Sequence, residues 1–279
     1  MKKTVISILL ACLMLSMAAC GSTGTSSSSS GELLLKPDEP LMESGDSDSM
    51  VEESTESSKE AVFVQYAIGD IILADGSIVK ETDLAAIDNS NAPIAVIAGF
   101  QEDGTAFGIG VHRSDAPLQW ASDNSAGYAT NFTNIVCTQD SEFGFSGDKD
   151  GTDNWNEICA QDQEDTTDAE VNYPAFHFVN TYAASFCMSG DYAVGWYMPS
   201  IEELCGIYQN REAVNNSLRH IYKLDKEAAM NGLETNWYWS SSQAGAEDDY
   251  AWFVHYFNGY AGECPKNFTN VHALAVRAF

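Results

Sequence analysis

Residues 62–279 carry apolar positions at two different spacings, and the spacings divide this stretch into predicted elements. Ile71-Ile72-Leu73 and Ile78-Val79 flank Asp75-Gly76, a dipeptide that supplies the positive φ of a tight turn. They predict a hairpin within 65–79. Ile94 to Ala98 and Phe107 to Val111 flank Glu102-Asp103-Gly104 and predict a second hairpin over 93–112. Gly99, Gly108 and Gly110 imply bulges or close packing in its strands. Residues 114–153 are rich in Asn, Asp, Gly and Ser and show no period. Helices are predicted over 153–162, 173–186 and 200–208. In the second, Phe176, Val179, Ala183 and Phe186 share a face. The third is the best defined: Ile201, Leu204, Cys205 and Tyr208 recur at i, i+3, i+4 and i+7, and Ser200 with Glu203 makes a capping box. From Asn236 the period returns to two. Trp252, Val254 and Tyr256 alternate with Phe253, His255 and Phe257, so the first set should face inward and the second outward. The pattern predicts an α+β domain of antiparallel hairpins and a few helices.

Ahead of that domain the pattern changes. Met1-Lys2-Lys3 precedes a mostly apolar run, Thr4 to Met17, too short to cross a bilayer comfortably. Ala18-Ala19-Cys20 closes it. The segment resembles a bacterial lipoprotein signal, which implies that residues 1–19 are removed and Cys20 is lipidated; the alternative is an ordinary secretory signal with a chance cysteine. Residues 20–61 then read as a tether. Gly21 to Gly31 is nearly all Ser, Thr and Gly, a flexible-coil composition. Glu32 to Glu60 lacks the apolar content to fold, apart from Leu33-Leu34-Leu35. The expected location is the bacterial cell envelope, lipid-anchored and surface-exposed.

A formal net charge of −28 narrows the partners. Such a chain repels nucleic acid and anionic lipid, so no nucleic-acid partner is expected, and membrane contact is expected through the anchor alone. Five cysteines fall in the domain: Cys137, Cys159, Cys187, Cys205 and Cys264. Disulfides are permitted in an exported protein, but an odd number cannot all pair within one chain. None has zinc spacing, and Cys205 belongs to the apolar face of its helix. In Asp148-Lys149-Asp150-Gly151-Thr152-Asp153-Asn154, carboxylates alternate around a glycine turn. Asp148, Asp150 and Asp153 could ligate a hard cation such as calcium; the other reading is an Asx-rich turn capping the helix at Asp153. No other cofactor is expected.

Longer motifs add a resemblance. Gly195-Trp196-Tyr197-Met198-Pro199-Ser200-Ile201-Glu202-Glu203-Leu204, Tyr238-Trp239-Ser240-Ser241-Ser242-Gln243, Ala251-Trp252-x-Val254-x-Tyr256-x-x-Gly259, Lys266 and the closing Ala275-Val276-Arg277-Ala278-Phe279 are similar to motifs of one bacterial surface-domain family. That family is known from the C-terminal domain of collagen-like adhesins and from many lipoproteins. The resemblance covers roughly residues 125–279. It implies a C-type-lectin-like fold of the formylglycine-generating-enzyme type. The closing segment also resembles the variable region of proteins diversified by retroelements. There, miscopied adenines scatter Asn codons among residue types that include those at Asp248, Asp249, Tyr250, Phe253, His255, Phe257, Tyr260, Cys264, Asn267, Phe268 and His272. The enzymes of this fold use a cysteine pair near the C-terminus to bind copper. Only Cys264 lies in that region here, which departs from the enzyme pattern.

The functional expectation is therefore binding rather than catalysis, with a protein or glycan on another cell or host surface as ligand. The expected contact residues are Tyr250, His255, Phe257, Tyr260, Asn267 and His272, with Asp248 and Asp249 at the rim. Tyrosine and similar aromatics give large contact area with few rotors to freeze. His112 and His177 are expected to be structural. The rival classes are an oxidase of the formylglycine-generating type and a purely structural envelope protein.

Overall fold

A computed structural model describes residues 65–87, 90–245 and 247–279. The signal segment, Cys20 and the tether lie outside the described residues. The described part is a mixed α+β domain built on two largely antiparallel sheets.

The first sheet contains both predicted hairpins. Strands β1 (Ile71–Leu73) and β2 (Ile78–Val79) are joined through Gly76, whose φ of 86° is the left-handed geometry the turn requires. Strands β3 (Pro93–Phe100) and β4 (Ala106–Arg113) pair alongside, with a register shift between Ile97 and Gly99. In chain order β5 (Val136–Gln139), β6 (Phe145–Gly147) and β7 (Trp196–Tyr197) follow, then β8 (Trp237–Ala244), β9 (Tyr250–His255), β10 (Tyr260–Pro265) and β11 (Leu274–Ala278). The first sheet runs β2-β1-β3-β4-β11-β7, so the last strand is inserted between β4 and β7. The second runs β10-β9-β8-β5-β6, and its β5–β8 pair is parallel.

The helices are α1 (Asn154–Gln161), α2 (Ala169–Asn172), α3 (Pro174–Asn180), α4 (Tyr182–Ser185), α5 (Ile201–Gln209) and α6 (Arg211–Leu224). The capping box at α5 is present: Ser200 Oγ accepts from Glu203 N, and Glu203 Oε2 accepts from Ser200 N at 2.8 Å. Each contact satisfies a backbone donor that the helix start leaves free. The helix expected over 173–186 is instead two short ones. It breaks at Thr181 (φ −100°, ψ 1°), whose hydroxyl donates back to His177 O. Helix α6 was not among the predicted elements. Its apolar stripe, Val214, Leu218 and Ile221, is interrupted by buried Asn215 and Ser217, which bond to Leu233 N and Gly69 O.

Two cores meet across the second sheet. Trp252, Val254 and Tyr256 pack with Ile201, Leu204, Cys205 and Tyr208 on one side. Trp239, Ala251 and Phe253 pack with Trp120, Tyr173 and Phe176 on the other. The inward half of the expected alternation is present. The outward half needs correction: Phe253 is 4% exposed, stacked on Trp237 and met edge-on by Tyr260 within the second core.

Candidate ligand-binding face

The register of β8, β9 and β10 builds this face. Trp237, His255 and Tyr260 stand opposite one another across the three strands, and Trp239, Phe253 and Gly262 form the next row. Residues two apart share a sheet face, so these six lie on one side. The covering core ends near the second row and leaves the first row open. Phe253 stacks on Trp237 with ring centroids 4.8 Å apart and planes 6° from parallel. Tyr260 meets Phe253 edge-on at 6.2 Å, Phe268 approaches Trp237 at 6.0 Å, and His255 lies 6.1 Å from Phe257. Gly262 makes room: a Cβ there would fall 2.4 Å from the Tyr260 ring. Phe257, Tyr260 and Phe268 are 73%, 60% and 37% exposed. They are three of the seven large apolar side chains exposed among the described residues, and they gather here.

The eight expected contact residues do not form one site. His255, Phe257 and Tyr260 belong to the aromatic face. Tyr250 begins β9 five residues away, roughly 17 Å along the strand, and packs on the opposite core. Asp248 and Asp249 lie beside it, and Asp249 accepts from Tyr128 Oη at 3.2 Å. Asn267 is half-buried, and its carbonyl is held by Gln119 Nε2 at 2.9 Å. His272, expected outward, is buried. Its Nδ1 lies 2.9 Å from Ser114 O and 2.9 Å from Arg113 Nη1. Burial, with the neighbouring guanidinium, holds its pKa below the ordinary value. A histidine fixed in this way is framework. Trp237, Phe253 and Phe268 belong to the face but were not among the expected contacts.

Lys266 fixes the segments behind this face. It is 0% exposed, yet its Nζ donates to Gly127 O, Thr130 O, Gln243 Oε1 and Asp248 O at 2.7–3.0 Å. Burial pushes its pKa down to about 7, against the pull of Asp248 and Asp249. The oxygen acceptors act in the same sense as those carboxylates, because they stabilise the ammonium. One buried charge thus ties the ends of β8 and β10 to two loops.

In the acidic turn, Asp148 Oδ1 accepts from Asp150 N and Asp150 Oδ1 from Thr152 N. These are Asx turns closed by backbone donors. Among the described residues, no group of three or more His, Cys, Asp or Glu side chains converges on a metal position. The five domain cysteines are all free thiols. Cys264 and Cys205 lie in different cores, and burial pushes each up to about 12.

No protein-family model matches the chain, and no curated protein matches it in sequence. Among solved structures it is similar to a fimbrial protein from Bacteroides ovatus ATCC 8483, with a TM-score of 0.51 and 17% identity over 77% of this chain. The match covers 49% of that protein, so this chain spans about half its length. The likeness is one of fold.

Proposed function

We propose that this chain is a bacterial surface-binding protein, tethered through a lipidated Cys20, that recognises a protein or glycan ligand with the aromatic end of its second sheet. The carrying observation is the gathering of Phe257, Tyr260 and Phe268 around Trp237 and His255, where apolar surface stays open to solvent. Contiguous exposed apolar surface in a highly charged protein marks an interaction site. Contact energy concentrates in such aromatic anchors. The fold likeness to a fimbrial protein is compatible with a surface role, and the sequence motifs favour a C-type-lectin-like domain of the formylglycine-generating-enzyme type. The core contacts of the Asp248, Asp249 and Tyr250 end leave it at most a separate, weaker contact.

Diversification by a retroelement fits the exposed positions 257, 260 and 268. Phe253, Cys264 and His272 are buried, and free variation at them would cost core packing. A near-copy of the coding segment beside a reverse-transcriptase gene would support diversification, and its absence would sink it. The oxidase reading is disfavoured by thiols that sit in separate cores and resist ionisation. With the Asx turns already closed by backbone donors, added calcium or a chelator is expected to leave the melting curve unchanged.

The test is ligand capture by whole cells. Replacing Phe257 and Tyr260 together with Ser should abolish capture without changing the circular dichroism spectrum. Cys20→Ala should release the protein from the membrane fraction. Capture that survives the double substitution would overturn the site, and a Cys20→Ala protein that stays membrane-bound would overturn the anchor.

A further inference from the structure

The segments that build the aromatic face carry no formal charge. Residues 235–246, 250–262 and 267–276 supply β8, β9, the start of β10 and the turns beside them, and they contain no Asp, Glu, Lys or Arg. The chain as a whole has 41 acidic residues, so this neutrality is local. The acids nearest in sequence do not reach the open row. Glu263 stands opposite Trp252 in register, on the other side of the sheet from Tyr260. Glu234 is paired with Arg219.

What the face offers instead is neutral hydrogen-bonding groups. Asn267, Thr269 and Asn270 share the turn that carries Phe268, and Thr269 and Asn270 are exposed. Among the described residues, the side chains of these three make no hydrogen bond within the chain. Asn258, beside Phe257, uses its Oδ1 to accept from Tyr260 N at 3.2 Å and leaves its amide donors free. An amide or a hydroxyl can both donate and accept, whereas a carboxylate only accepts and an ammonium only donates. A ligand made of hydroxyl groups needs both.

The rings are also held in place before any ligand arrives. Tyr256, next to Phe257, is 1% exposed and donates from Oη to Leu204 O at 2.9 Å. Gly259 closes the turn at φ 77°, seated against the Tyr208 ring where a Cβ would not fit. Tyr260, His255 and Trp237 stand on three adjacent strands, about 10 Å across. Phe268 extends the row beyond Trp237. A fixed row of this kind suits a stiff, linear ligand, since little ordering is left to do on binding.

We propose that the ligand of this face is a neutral glycan chain, whose sugar rings lie along the row from Phe257 and Tyr260 to Phe268 while their hydroxyls meet the Asn and Thr side chains of the flanking turns. This inference rests on the aromatic-face reading and narrows its ligand to one class. The electron-poor C–H face of a sugar matches the negative face of an aromatic ring. A protein partner fits less well. One steered by a chain of net charge −28 would be basic, and its Lys and Arg side chains would meet no carboxylate here, which disfavours burying them.

The test presents the full chain, with a chelator present, to immobilised neutral oligosaccharides (hexose, N-acetylhexosamine and fucosylated chains) and to sialylated, sulfated and uronate chains. Saturable binding to neutral chains alone is expected. It should be equal at about 50 and 500 mM salt, because no ion pair is there to be screened. Thr269→Ala combined with Asn270→Ala should weaken binding at least about fivefold and leave the melting temperature unchanged, since neither side chain holds anything within the chain. Replacing Phe257 and Tyr260 together with Ser should abolish it. Binding to anionic chains, binding that falls with salt, or neutral binding that survives the Phe257 and Tyr260 replacement would overturn the inference. If no neutral chain binds, yet capture by whole cells is still lost in that double variant, the partner is a protein: the glycan inference fails and the aromatic face stands.

Discussion

Phe253→Ala tests the geometry on which the binding face depends. Strand alternation in the sequence turns Phe253 outward, whereas the structure buries it at 4% exposure between Trp237 at 4.8 Å and Tyr260 at 6.2 Å. Truncating a buried phenylalanine costs about 3–5 kcal/mol, made up of lost transfer energy and the cavity left behind. Tyr260 is 60% exposed and can lean into the gap, so the low end, about 3 kcal/mol, is expected here. About 0.5–1.5 kcal/mol of that should be ring stacking with Trp237, recoverable as coupling in a double-mutant cycle with Trp237→Ala. Phe257 is the internal control. It stands four residues further on and is 73% exposed, so Phe257→Ala should stay within about 0.5 kcal/mol. Urea unfolding followed by circular dichroism reads both, with unchanged m-values confirming that the midpoint shift reports stability. A Phe253→Ala loss below about 1 kcal/mol, or one equal to that of Phe257→Ala, would refute the register and misplace the face.

Two further outcomes follow from buried charge. Lys266→Met keeps the side-chain volume but strands the four oxygens that the ammonium now serves; a loss of about 3–5 kcal/mol is expected, with faster amide exchange in the 127–130 segment, and an unchanged melting temperature would refute the clasp. Burial raises the Glu203 pKa from 4.5 to about 7 in the fold. The folded state then holds this proton more tightly than the unfolded one, so the stability contribution is full below about pH 4.5 and is lost as pH rises through 7. Glu203→Gln should flatten the stability curve between those limits, and a slope identical to wild type would show that the capping hydrogen bonds, not burial, set this carboxyl.

The sequence by itself determined the elements whose cause is local. The Asp75-Gly76 turn, both hairpins, the α5 capping box and the inward set Trp252, Val254 and Tyr256 were legible because turn chemistry and periodicity act over a few residues. Thr181 broke a helix that the apolar pattern alone would continue, through a hydroxyl bond back to His177 that periodicity does not register. The tertiary structure decided which side of the second sheet is open. Alternation says that two faces exist, not what lies on each, and here the second core and the rings of Trp237 and Tyr260 bury Phe253 while Tyr260 itself stays exposed. It also separated Tyr250 from His255, because opposite ends and opposite faces of one strand look adjacent in a list of neighbouring residues. His272 and Lys266 became framework for the same reason. Their partners Ser114, Gly127 and Thr130 lie more than a hundred residues away in the chain, and only the packed fold brings a charge to the oxygens that make its burial tolerable.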